Sequence, residues 1–229
     1  EPAPLSTKEI TLPEYDEHEV GMTPQLAARF ETAAQLPGAE YLAKLRYLIL
    51  PIREADAVPQ PLRCKTLLEL PRAAFGTVEP DTMRRLAALE GSGFAGVVAN
   101  NLAQFGYASP LPVFGGLGLN VTNPMSAAEY VCLGARGLLV QPETALTAMR
   151  AVAPRQKDGT PVPTAALCYG HLPLMLTRAC PLRNVRTSCA SCTHKGKLRD
   201  RKGRDFPVRC SAPGSAGMRT VFNPVPLYM

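Results

Sequence analysis

Apolar and polar positions follow one another along this chain in a repeating order: a short apolar run, an amphipathic stretch, then another apolar run. YLILP (47–51), KTLLELP (65–71), GVVANN (96–101), PVFGGLGLN (112–120), GLLVQ (137–141) and PTAALCYG (163–170) are short and bounded by turn formers, which predicts buried strands. Between them, EPDTMRRLAALEGSG (79–93) has helical periodicity and is stopped by glycine. SAAEYVCLGA (126–135) predicts a helix with Ser126 as N-cap and Glu129 at the capping-box position, and ETALTAMRAV (143–152) predicts another. Thr23 before Pro24 is a helix-start signal, and Leu26, Ala27, Phe30 and Ala33 at helical spacing predict a helix to about Gln35. Residues 1–21 are polar, acidic and punctuated by proline, and read as a lead-in or linker.

Strands alternating with helices imply βαβ units and a parallel sheet. Seven or eight strands, counting a terminal one near MRTVFN (218–223), favour a TIM-like (β/α) barrel over residues 22–229 rather than an open doubly wound sheet. A four-cysteine segment at 178–210 is then an insertion before the last strand.

In a parallel sheet the carboxyl ends of the strands share one face, where ligands bind. Glu69, Asn100, Asn101, Asn120, Glu143 and His171 each follow an apolar run. Any one of them could simply open a loop or cap the next helix. As a set they point to a site, with His171, Glu143, Glu69 and Asn120 as the catalytic candidates. Gly115, Gly116 and Gly118 do not form GxGxxG, and the patterns GxxxxGK[ST], GxSxG and HExxH are absent, so a nucleotide fold built on that glycine run or a P-loop, and serine hydrolase or zincin chemistry, are not indicated.

Composition adds a second centre of interest. The chain has 229 residues, 46% of them hydrophobic, enough for one substantial core. It has no apolar run of about 18 residues to span a bilayer, and its first residues lack the features of a signal peptide, so the expectation is a soluble, cytoplasmic protein with no membrane partner. Three of seven cysteines, Cys64, Cys132 and Cys168, sit among apolar residues and are expected in the core. The other four, Cys180, Cys189, Cys192 and Cys210, have the spacing C-x8-C-x2-C-x17-C. A CxxC turn lets two sulfurs reach one ion or cluster, so these four are the candidate metal and cofactor ligands; a surface disulfide pair is the bland alternative. His194 inside the segment reads as exposed rather than as a ligand.

Charge singles out the same stretch. Net charge is +6, yet residues 178–210 alone carry +8 and the remainder −2. Arg178, Arg183, Arg186, Lys195, Lys197, Arg199, Arg201 and Lys202 would stabilise an anionic thiolate centre, or bind a polyanion such as RNA, or form a solvated basic loop.

The segments LLELPRAAF, VVANNLAQF, VFGGLGLNVTNPMSA, QPETALTAM, YGHLPLMLTRACPLRN, CASC and KLRDRKGRDFPVRC, with a closing FNPVPLYM, resemble the peptidase U32 family, the collagenase-like protease group. The likeness is greatest to the carboxy-terminal barrel module of its long members, and covers most of residues 64–229. It implies a TIM-like barrel whose four cysteines hold an iron–sulfur cluster of the 4Fe-4S kind, with zinc as the alternative. It also implies iron–sulfur-dependent pyrimidine hydroxylation in RNA (tRNA or rRNA), or the substrate-binding part of such an enzyme, within a longer U32 protein. Other members take part in oxygen-independent ubiquinone hydroxylation or keep a peptidase label; a non-catalytic zinc-stabilised module is the remaining alternative. His171 stands where such proteins carry a histidine after a late strand, and Glu143 where they carry a glutamate after the preceding one. The cysteine spacing differs from that of the shorter members, whose amino-terminal opening motif is lacking here.

Overall fold

Apolar runs pair side by side in the order in which they occur. In the computed structural model, which describes residues 24–107, 109–182, 189, 192–211 and 218–228, seven strands form one parallel sheet in sequence order. They are β1 (Leu26–Arg29), β2 (Leu45–Pro51), β3 (Thr66–Glu69), β4 (Gly96–Ala99), β5 (Val113–Gly115), β6 (Ala135–Val140) and β7 (Thr164–Ala166). Short helices α1 (Ala39–Leu42) and α2 (Gln60–Arg63), and the longer α3 (Val78–Ala87), α4 (Pro124–Cys132) and α5 (Leu146–Ala151), fill the connections.

Alternate strand residues face opposite sides. Leu50, Leu68, Leu70 and Val97 point outward and pack with Leu86, Leu89 and Phe94 in one core cluster. Leu138 and Val140 join Leu119, Ala127 and Met149 in a second. On the other side, Tyr47 of β2 and Phe114 of β5 lie three strands apart, roughly 14 Å in a flat sheet, yet their ring centroids are 5.7 Å apart. The sheet is therefore strongly curled, a seven-stranded half-barrel with Phe114 filling its concave side. Glycine makes that possible: a Cβ on Gly96 or Gly137 would come within 2.8 Å of the Phe114 ring.

Four expectations are corrected. LAAR (Leu26–Arg29) is a strand rather than the start of a helix, because pairing with Leu45–Ile49 outweighs the helix propensity of leucine and alanine; only a 3-10 turn at Ala33–Gln35 is helical, and Thr23 lies outside the described residues. The helix α4 is capped by Asn123, whose side chain accepts from Ser126 N at 2.9 Å, so Ser126 lies inside the helix. Cys64, Cys132 and Cys168 are exposed: the first two lie at the ends of α2 and α4 and the third between two largely exposed strands.

The fourth correction concerns the last strand, which belongs to a different sheet. After β7 come β8 (Tyr169–Gly170), β9 (Pro173–Thr177), β10 (Lys195–Arg199), β11 (Asp205–Cys210), β12 (Arg219–Phe222) and β13 (Leu227–Tyr228). MRTVFN supplies β12, which pairs antiparallel with β11 and β9 in a sheet ordered β10-β11-β12-β9, while β8 and β13 form a two-stranded ribbon. Among the described residues β1 and β7 are the edges of the parallel sheet and do not pair with each other. No helix among the described residues is long and apolar enough to cross a membrane.

Candidate functional site at the mouth and the cysteine edge

Parallel strands put all seven carboxyl ends on one mouth. Arg29 and Glu69 end β1 and β3, two strands apart on the curled sheet, and meet there: Arg29 Nε donates to Glu69 Oε2 at 2.8 Å and Nη2 lies 2.7 Å from the same oxygen. Arg29 Nη1 donates to Glu31 Oε1 at 2.6 Å, and Arg53 lies 3.7 Å from both Glu31 and Glu54. Partial burial works against the charged form of Arg29, but Glu69 and Glu31 outweigh it and raise its pKa. Burial likewise opposes the ionised Glu31, and is overcome by Arg29, then Arg53 and Arg209, so its pKa is lowered.

On the β5–β6 side the mouth is neutral. Asn120 adopts a left-handed conformation (φ 57°, ψ 45°) and its Oδ1 accepts from Gln141 Nε2 at 2.6 Å. Asn100 is buried and structural: its Nδ2 donates to Leu70 O at 3.1 Å and its Oδ1 accepts from Gly118 N at 3.1 Å. Gln104, also buried, donates to Pro71 O and holds the β3 and β4 exits together. Glu143 is exposed in the loop before α5. His171 is exposed beyond β8, with Nδ1 2.6 Å from the Asn223 carbonyl oxygen. No hydrogen bond or ion pair joins His171, Glu143, Glu69 and Asn120 to one another among the described residues; the mouth instead groups Glu69 with Arg29 and Asn120 with Gln141.

The second part of the site follows from strand register. Cys210 ends β11 opposite Arg219, which starts β12 opposite Thr177, the end of β9. Lys195 starts β10 opposite Arg209. Thr177, Arg219, Cys210 and Lys195 therefore lie along one end of the antiparallel sheet. Cys180 follows that end by three residues and Cys192 precedes it by three, so three cysteine-bearing segments leave from one place. Leu182 fixes the first of them: it is buried, and a Cβ on Gly196 would come within 2.5 Å of its Cδ1. Cys189 and Cys192 are joined by a turn, Cys192 N to Cys189 O at 3.2 Å, and Cys192 Sγ accepts from His194 N at 3.4 Å. His194 O in turn accepts from Cys210 N at 2.9 Å. Among the described residues no three His, Cys, Asp or Glu side chains are grouped as ligands of a metal ion.

This edge lies over the mouth. The Arg178 guanidinium, just past β9, sits 4.8 Å from the centroid of the Phe75 ring in the β3–α3 loop. Arg209 is close enough to Glu31, just past β1, to help lower its pKa. Arg219 is 3% exposed, and its Nη1 donates to Arg178 O at 2.7 Å. Sequence reasoning missed Arg29, hidden in a stretch read as helix, and Arg219, whose only signal is a cation inside an apolar strand. Arg183 and Arg186 lie outside the described residues. Lys195, Lys197, Arg199, Arg201 and Lys202 are exposed on or beside β10.

No family model and no curated protein matches the chain. A solved structure described as a U32 peptidase is similar to it over 70% of this chain and 74% of that one, with 12% identity and a TM-score of 0.45. A likeness this remote says nothing of activity.

Proposed function

We propose that this chain is a U32-type, RNA-acting barrel module, of the kind found at the carboxy terminus of long members, in which Cys180, Cys189, Cys192 and Cys210 hold a metal centre beside the mouth. An iron–sulfur cluster of the 4Fe-4S kind is the favoured occupant and zinc the alternative. The observation that carries the reading is the shared sheet end, from which segments bearing Cys180, Cys192 and Cys210 leave together over the carboxyl ends of β1 and β3. Thiolate donors suit both occupants. The four thiolates would converge only on loading, as in sites that assemble when the metal binds. A cluster would supply electron transfer, and zinc would supply rigidity.

The residues of the chain do the rest. Phosphates of RNA are held by the cations beside β10, and a base entering the mouth meets the Asn120–Gln141 pair on one side and Glu69, oriented by Arg29, on the other. The Asn223 carbonyl can only accept, so His171 carries a proton on Nδ1 and leaves Nε2 for proton exchange. Glu143, exposed and unpaired among the described residues, is the second proton-transfer candidate. Apolar side chains exposed on the ribbon and β9, notably Tyr169, Leu174 and Tyr228, are where the rest of a longer U32 protein would dock.

The test is metal and sulfide analysis of protein purified without oxygen, with Cys180→Ser and Cys210→Ser alongside. Iron, sulfide and absorption near ~400 nm, lost in both variants, support the cluster. One zinc on a colourless protein, lost in the same variants, supports the zinc occupant. Metal-free protein whose fold and RNA binding match those of its variants sinks the reading.

A further inference from the structure

The ribbon of β10 and β11 has two unlike faces. Lys195, Lys197 and Arg199 alternate along β10 and are exposed, while Gly196 and Leu198 between them are half-buried, Gly196 beneath Leu182. Directly opposite residues of an antiparallel pair share a face. Arg209 lies opposite Lys195, and Asp205 opposite Arg199, so the outer face carries four cations and one carboxylate.

That carboxylate is fully engaged. Asp205 Oδ1 accepts from Arg199 Nε at 2.7 Å, and Oδ2 accepts from Arg199 Nη2 at 3.1 Å and from Lys197 Nζ at 2.5 Å. Two oxygens meeting a guanidinium fork and an ammonium together is the arrangement these side chains also offer to a phosphate. Lys197 and Arg199 are 59% and 62% exposed and Asp205 34%, so the ion pair is screened by solvent and open to exchange. At the other end of the face, Lys195 and Arg209 are directly opposed like charges, and the one carboxylate among the described residues shown to feel Arg209, Glu31, lies across at the mouth. Alternate positions on a strand are roughly 7 Å apart, close to the step between successive phosphates of an extended nucleic-acid strand. Beyond β10 the turn adds Arg201, Lys202 and Arg204, and is fixed by Asp200 Oδ1, which accepts from Lys202 N at 2.8 Å and Arg204 N at 2.9 Å.

We infer that this face is a track for the phosphodiester backbone of single-stranded RNA, and that Asp205 occupies the place of one phosphate until RNA displaces it. The inference rests on the proposed RNA reading and adds to it a built-in competitor: RNA must exchange with Asp205 to engage Lys197 and Arg199. Asp205 is a masking residue, which sets affinity and salt dependence without touching the base.

Binding of a short, mixed-sequence single-stranded RNA to the whole chain, measured across a salt series, tests this. Asp205→Asn is expected to bind several-fold more tightly, with a salt slope steeper by about 0.7, the equivalent of one more phosphate neutralised. Lys197→Ala should bind more weakly, with a shallower slope. Glu90→Gln makes the same charge change in the α3–β4 connection, at the opposite end of the sheet, and should match the unmodified chain. Nuclear magnetic resonance supplies a readout that needs no substitution: the Arg199 Nε–H signal should shift as RNA is added. If the unmodified chain binds RNA with a clear salt slope but Asp205→Asn binds no more tightly, the masking inference falls and the RNA reading stands. If neither protein binds RNA, both fall. A static Arg199 signal at saturating RNA overturns the inference on its own.

Discussion

The two sheets are held together by different means. The parallel half-barrel buries Leu48, Leu50, Leu68 and Leu86 completely and is backed by two apolar clusters. The antiparallel sheet over its mouth buries little: Val208, Val221 and Leu182 are apolar, and Arg219 is a buried cation among them. Apolar burial stabilises at roughly 25 cal/mol per Å², so the first sheet has a core of its own. The second depends on register, exposed ion pairs and, in the proposed reading, a metal. In the proposed reading stability and chemistry are thus divided between the layers: the half-barrel is the platform, and the cysteine-bearing sheet is the part whose order would respond to ligands.

That contrast can be broken at several points. Leu68→Ala, in the half-barrel core, should destabilise it by about 2–5 kcal/mol, read as a lower denaturant midpoint; a loss under 1 kcal/mol would mean the platform is not well packed. Gly196→Val should cost about 1–3 kcal/mol through collision with Leu182, and because Leu182 pins the segment after Cys180, labelling of Cys180 by a thiol reagent should speed up while half-barrel stability holds. Unchanged labelling would detach Leu182 from the placement of Cys180. Smaller still is Glu69→Gln, which weakens a half-exposed pair and should cost about 1 kcal/mol or less, seen as a slight shift in midpoint with no change in thiol labelling.

The smallest effect is on pH. Glu31 is opposed by burial but held low by Arg29, then Arg53 and Arg209; Asp205 is held low by hydrogen bonds from Arg199, then Lys197. A carboxylate with a depressed folded pKa contributes stability above its ordinary range, and that contribution is lost as pH falls through the folded value. Both side-chain carboxyl carbons should therefore titrate below the ordinary carboxylate range when followed by nuclear magnetic resonance. Glu31 titrating normally would remove the electrostatic link between the cysteine edge and the mouth, which runs through Arg209.

Much of the half-barrel is readable from local pattern. YLILP, KTLLELP, GVVANN and GLLVQ are buried on both faces or nearly so, and such strands appear as continuous apolar runs whatever surrounds them. LAAR escaped because an exposed edge strand carries no such signal; its strand form comes from β2 beside it. The site was only partly readable. Glu69 and Asn120 do lie at the mouth, but Arg29 reaches Glu69 across β2 only because the sheet curls around Phe114, and Gln141 meets Asn120 only because β5 and β6 pair side by side. Asp205 looked like one charge among many, since only the β10–β11 register puts it opposite Arg199.

Residue order alone determined the alternation of strands and helices, the polar residues at the strand exits and the concentration of cysteine and positive charge near the end of the chain, because each is a property of neighbours in sequence. Tertiary structure decided that the last strand leaves the barrel for a second sheet, that three cysteine segments depart from one edge of it, and which cations are masked. Antiparallel register relates residues far apart in the chain, and no local pattern encodes it.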